Sequence, residues 1–114
     1  GTDMWEGVRN YQARNNLMAM KTGDLALFYH SVLNPAVVGI ARVVKEHYPD
    51  PTTDDKRWVV VDFTVERALH RPVTLKEIKE EPLLANIALI RQSRLSVMPL
   101  TVQEYQTILH MAGQ

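Results

Sequence analysis

Residues 5–16, Trp5-Glu6-Gly7-Val8-Arg9-Asn10-Tyr11-Gln12-Ala13-Arg14-Asn15-Asn16, set aromatics, amides and guanidinium groups side by side where a core helix would carry aliphatics. Trp and Tyr offer flat apolar faces for stacking. Asn, Gln and Arg supply donors and acceptors of the kind that match the edge of a nucleobase. The chemistry this mixture suits is the grip of a planar, polar ligand, and a base is the natural case. The bland readings stand beside it: Trp5 as a buried anchor near the chain start, and Asn10 as the N-cap of a helix opening at Tyr11.

Other side chains that could do chemistry are scattered. His30, His47, His70 and His110 fall in four different predicted elements or links, without the helical i, i+4 spacing of a metal site, so no metal is expected. No cysteine is present, which leaves no disulfide framework and no thiolate zinc site and makes the cytoplasm the default compartment. The apolar runs 25–29 and 58–61 fall far short of the ~20 residues of a membrane helix. Nothing resembles a signal peptide. An enzymatic alternative would draw on His30, Tyr29 and Arg94 as acid, base and phosphate clamp, but a zinc-deaminase signature, a nucleophile elbow and a phosphate loop are all missing.

The elements that must position these residues read as one domain over residues 1–114, with 46% apolar and 23% charged residues and a formal net charge of zero. Such a balance neutralises few phosphates, so the expectation is weak backbone binding with recognition focused on one nucleotide. Residues 11–20 read as a helix ending near Gly23. Residues 24–31 and 37–45 read as two neighbouring strands joined by the Asn34-Pro35 turn. In the first of them Tyr29 and Ser31 share one face, Phe28 and His30 the other. Residues 48–55, with two prolines and three aspartates, read as an exposed loop. Val59, Val61, Phe63 and Val65 alternate with Val60, Asp62, Thr64 and Glu66, as in a strand with one buried face.

Two helix starts carry capping boxes with hydrophobic staples: Thr74 with Glu77, flanked by Val73 and Ile78, and Thr101 with Glu104, flanked by Leu100 and Tyr105. The second helix presents Tyr105, Ile108, Leu109 and Ala112 on one face. If the domain were instead an assembly unit, Tyr105 and Ile108 would be exposed in the monomer. Residues 93–100 read as a last strand. The order argues for an α+β fold, and at least four strands in so short a chain favour a strongly curved sheet or small barrel capped by helices.

The first motif, together with Gly23-Asp24, Phe28-Tyr29-His30-Ser31, Val38-Gly39-Ile40-Ala41, Tyr48-Pro49-Asp50, Arg94-Leu95-Ser96-Val97 and Pro99-Leu100-Thr101, resembles the EVE domain family. The resemblance implies a PUA-like fold, a small mixed β-barrel flanked by helices. It also implies non-catalytic binding of a modified nucleobase, modified cytosine above all, in DNA or RNA, with the base extruded into a pocket beside the barrel and no cofactor. Matching motif positions make Trp5, Asn10, Tyr29, Ser31 and Ser96 the pocket candidates, with Arg9, Arg14 and Arg94 for backbone or base-edge contacts. Members of that family usually open with a further strand ending in a Lys-Ser-Glu-Pro-like segment. This chain opens at Gly1 without it, so the expectation is a barrel whose first strand is absent here, with a 49–56 loop shorter than in longer members.

Overall fold

The computed structural model describes residues 2–92 and 95–113. Four strands, β1 (Thr2–Trp5), β2 (Leu25–His30), β3 (Ala36–Pro49) and β4 (Val59–Thr74), form an antiparallel sheet in the order β1-β4-β3-β2. Helices α1 (Tyr11–Met18), α2 (Leu75–Glu80), α3 (Ala88–Arg91) and α4 (Val102–Met111) flank it, with a 3₁₀ turn at Pro82–Leu84. The α+β class agrees with the reading from sequence.

The barrel does not close. β1 and β2 are the two edges of the sheet and do not pair with each other. The sheet is nevertheless strongly curved, because β3 carries register shifts at four points along its ladder with β4, and each bulge adds local bend and twist. Gly39 lies among them, where a Cβ would sit 3.2 Å from the Arg67 carbonyl oxygen. That approach is open only to glycine without a shift of backbone.

Three expectations need correction. The reading placed no strand over residues 2–5, yet Thr2 to Trp5 pair antiparallel with Thr64 to Val61 along the free edge of β4. Nor do Tyr48 and Pro49 belong to a loop, since they continue β3 opposite Val60 and Val59. Residues 95–100 form no strand; Leu95 and Val97 are buried and Ser96 exposed, which imitates strand alternation, but the Leu95 amide donates to the Gln92 carbonyl rather than to a neighbouring strand.

Two apolar clusters hold the domain. The first gathers Val37, Ile40, Leu69 and Val73 from the sheet with Ile78, Leu84, Ile87, Ile108 and Ala112 from the helical half. Ile108 is buried and Tyr105 half-buried, so the α4 face docks inward and the assembly-unit reading loses its basis. The second cluster packs Val8, Ala13 and Leu17 against Val43, Val59, Val61, Leu95 and Val97. It fixes the Trp5–Asn16 motif to the sheet, and the candidate site grows around it.

Candidate nucleobase site

Asp50 organises the motif from a distance. It is the one buried charged residue among those described, at 2% exposure, and its carboxylate accepts four hydrogen bonds. Oδ2 takes the Gly7 amide at 3.2 Å and Arg9 Nη1 at 3.0 Å; Oδ1 takes the Thr52 amide at 2.7 Å and the Thr52 hydroxyl at 2.5 Å. Burial pushes this carboxyl up, but the bonds from Thr52, Arg9 and Gly7 outweigh it and hold the group well below the usual carboxylate range. Gly7 delivers its amide at φ 77°, in the left-handed region that glycine enters without penalty. The sequence reading made the 48–55 stretch an exposed loop; its aspartate is instead the anchor of the whole segment.

Arg9 therefore holds the segment in place, expected contact with nucleic acid or not. Its guanidinium bonds Asp50, Thr52 and the Val8 carbonyl, and lies 5.8 Å from the centre of the Trp58 ring. Arg14 stays near the surface, 5.0 Å above the Tyr11 ring, bonded to the Asn15 side chain and to no carboxylate among the described residues. Trp58, buried against Tyr11 at 5.0 Å, and Arg57, which donates to the Tyr11 hydroxyl and pairs with Asp55, complete this cationic and aromatic patch. The reading from sequence missed both, since Tyr11, the ring that joins them to the motif, lies more than forty residues away.

Asn10 takes its bland role: Oδ1 caps α1 by accepting from the Ala13 amide at 2.9 Å. Its Nδ2 donors have no protein partner among the described residues, so the cap leaves them for a ligand. Asn16 Nδ2 reaches across to the Val97 carbonyl at 2.6 Å and ties the segment beside Ser96 to α1.

Trp5 is half-buried on the second cluster, its ring 6.2 Å from Phe28 and 6.1 Å from Phe63, which meet each other edge to face at 4.9 Å. Side chains from the two edge strands thus meet across the curve of the sheet even though their backbones do not pair. The alternation of β2 that sends Phe28 toward Trp5 sends Tyr29 to the first cluster, where burial raises its hydroxyl pKa. Ser31 is exposed in the bend after β2.

The five expected pocket residues are therefore divided. Trp5, Asn10 and Ser96 stand around the second cluster; Tyr29 and Ser31 do not join them. Phe28 and Phe63, not Tyr29, lie against Trp5. Arg94 lies outside the described residues. His30 is exposed and leaves β2 on the face opposite Tyr29, so the two cannot act on one atom as acid and base. Among the described residues no three His, Asp or Glu side chains gather closely enough to hold a metal ion.

Comparison with known proteins agrees on the architecture. The model of the EVE domain matches residues 1–111. Thymocyte nuclear protein 1 of Gallus gallus is 41% identical over 133 residues, an alignment that takes in 96% of this chain and 55% of that protein. The chain thus spans little more than half the length of that curated relative. A crystal structure of a protein from Agrobacterium tumefaciens superposes with a TM-score of 0.95 at 45% identity, covering 97% of this chain and 77% of that one. The human THYN1 protein in complex with DNA containing 5-methylcytosine gives a TM-score of 0.91 at 36% identity, covering 99% and 80%.

Proposed function

The chain belongs to the EVE domain family, and from that premise we propose that it binds DNA carrying a modified cytosine without catalysing a reaction on it. The observation that carries the reading is the human relative held in complex with 5-methylcytosine DNA, on a fold that superposes over nearly all of this chain.

The geometry supplies a physical route. The base leaves its stack and lies against the indole of Trp5, which Phe28 and Phe63 brace from behind. Extrusion costs a few kcal/mol, which stacking and edge hydrogen bonds repay, and the cost falls in single strands. Nδ2 of Asn10 faces an acceptor on the base, and the Ser96 hydroxyl serves as either donor or acceptor. Arg14, with no carboxylate partner among the described residues, takes a backbone phosphate, and Arg94 is proposed for the same task. Arg9 acts by positioning.

A methyl group on the base adds about 0.8 kcal/mol when buried, a roughly fourfold preference. Titration of oligonucleotides that differ only in one cytosine, plain or 5-methylated, as DNA and as RNA, tests the reading. Binding should favour the methylated DNA by about that factor. Trp5→Ala should weaken it by about 1–3 kcal/mol, roughly 5- to 150-fold. Equal affinity for plain and methylated strands, or undiminished binding by Trp5→Ala, would refute it.

A further inference from the structure

The link between β2 and β3 carries two penalties at one spot. Leu33 and Asn34 both sit in the left-handed region, at φ 44° and 49°, within the five-residue link 31–35. Asparagine or glycine adopts this backbone with little strain, whereas leucine there is strained. The same leucine is 84% exposed and its neighbour Val32 65%, and neither belongs to an apolar cluster.

The base of the tip is firmly held. The Leu75 amide donates to the Pro35 carbonyl at 2.8 Å, and Ala36 and Val37 pair with Thr74 and Val73. Beside it lies an open cleft of about 470 Å³, lined by Asn34, Pro35, Thr74, Leu75, Lys76 and Lys79. Glu77 is turned back onto Thr74 and Arg71, so it does not neutralise the two lysines, which pair with no carboxylate among the described residues.

We infer that the Val32–Leu33 tip is a wedge that enters a DNA duplex beside the extruded base, with Lys76 and Lys79 on the flanking phosphates. The inference rests on the base-extrusion reading above. Phe28, which packs against Trp5, stands five residues before Leu33, which lies in the link just after β2, a separation of at most roughly 18 Å. That places the tip within a few base steps of the base. One or two aliphatic side chains are what minor-groove proteins insert between base steps to unstack them. A lipid surface would call for a longer apolar face.

The test compares single-stranded and duplex oligonucleotides carrying the same 5-methylcytosine, with wild type and Leu33→Asn. Asparagine accepts the left-handed backbone, so this variant should melt no lower than wild type. Its duplex affinity should fall roughly tenfold while its single-strand affinity stays unchanged, because only the duplex needs prying open. The double variant Lys76→Gln, Lys79→Gln should reduce the salt slope of duplex binding by about 2. Loss in both formats alike, or in neither, overturns the wedge and leaves base recognition standing. Binding of wild type but not Leu33→Asn to anionic vesicles, with duplex affinity unmoved, overturns it in favour of a lipid contact. Failure of the base reading looks different: wild type would bind plain and methylated single strands alike, and the wedge would fall with it.

Discussion

At the scale of single residues, Asp50 carries more of the site than any group that would touch a ligand. Four donors converge on its buried carboxylate: the Gly7 amide, the Arg9 guanidinium, and the amide and hydroxyl of Thr52. Replacing it by Asn keeps the shape but leaves Arg9 without its partner. Since Arg9 is itself 39% exposed, the loss should be about 2–4 kcal/mol, below the full cost of breaking a buried pair, measured by urea unfolding. The folded pKa is lower than the unfolded value near 3.9, so the native state binds fewer protons in acid. The carboxylate's contribution is therefore complete above about pH 5 and drains away as pH falls below 4 toward the depressed folded value. Asp50→Asn should flatten that limb of the stability profile; an unchanged acid limb would show that other carboxylates dominate it.

Elements differ in how far their own residues determine them. Both capping boxes form as read, with each threonine accepting from the glutamate amide three residues on and each glutamate reaching back. Thr101→Ala should cost about 1 kcal/mol, seen as a lower Tm with loss of helical signal confined to the first turn of α4. Such motifs were legible because their chemistry closes within four residues. β1 was not, since Thr2-Asp3-Met4-Trp5 has no strand pattern of its own and owes its conformation to the vacant edge of β4. The second half of β4 was hidden too. Arg67, Ala68, His70 and Pro72 break the alternation, yet Gly39, Val37 and Ala36 pair with that stretch. Pro72 is tolerated because β1 does not extend so far, leaving β4 an edge strand there. For the site, the half-buried aromatic at Trp5 and the cap at Asn10 could be read from residue types. Tyr29 could not, because assigning it to a cluster needs the partner strands, and Asp50 could not, because the donors that tie it to the motif, Gly7 and Arg9, are distant in sequence.

On the scale of the whole molecule, curvature does what closure would have done for the site. The sheet stays open at β1 and β2, but register shifts between β3 and β4 bend it until the rings of Trp5 and Phe28 on those edges pack together. Half-buried aromatics at such a seam are held in orientation and still reachable. With no net charge to draw a polyanion, the proposed affinity rests on the base itself and on local cations. The most direct measurement follows from the chain having two tryptophans, one of them buried Trp58. In Trp58→Phe, Trp5 is the sole indole, and its emission reports whether a base stacks on it. The account predicts saturable quenching by a 5-methylcytosine oligonucleotide, with a Kd equal to that from direct binding and weaker for plain cytosine. Full binding of the oligonucleotide with Trp5 emission unaltered would contradict it.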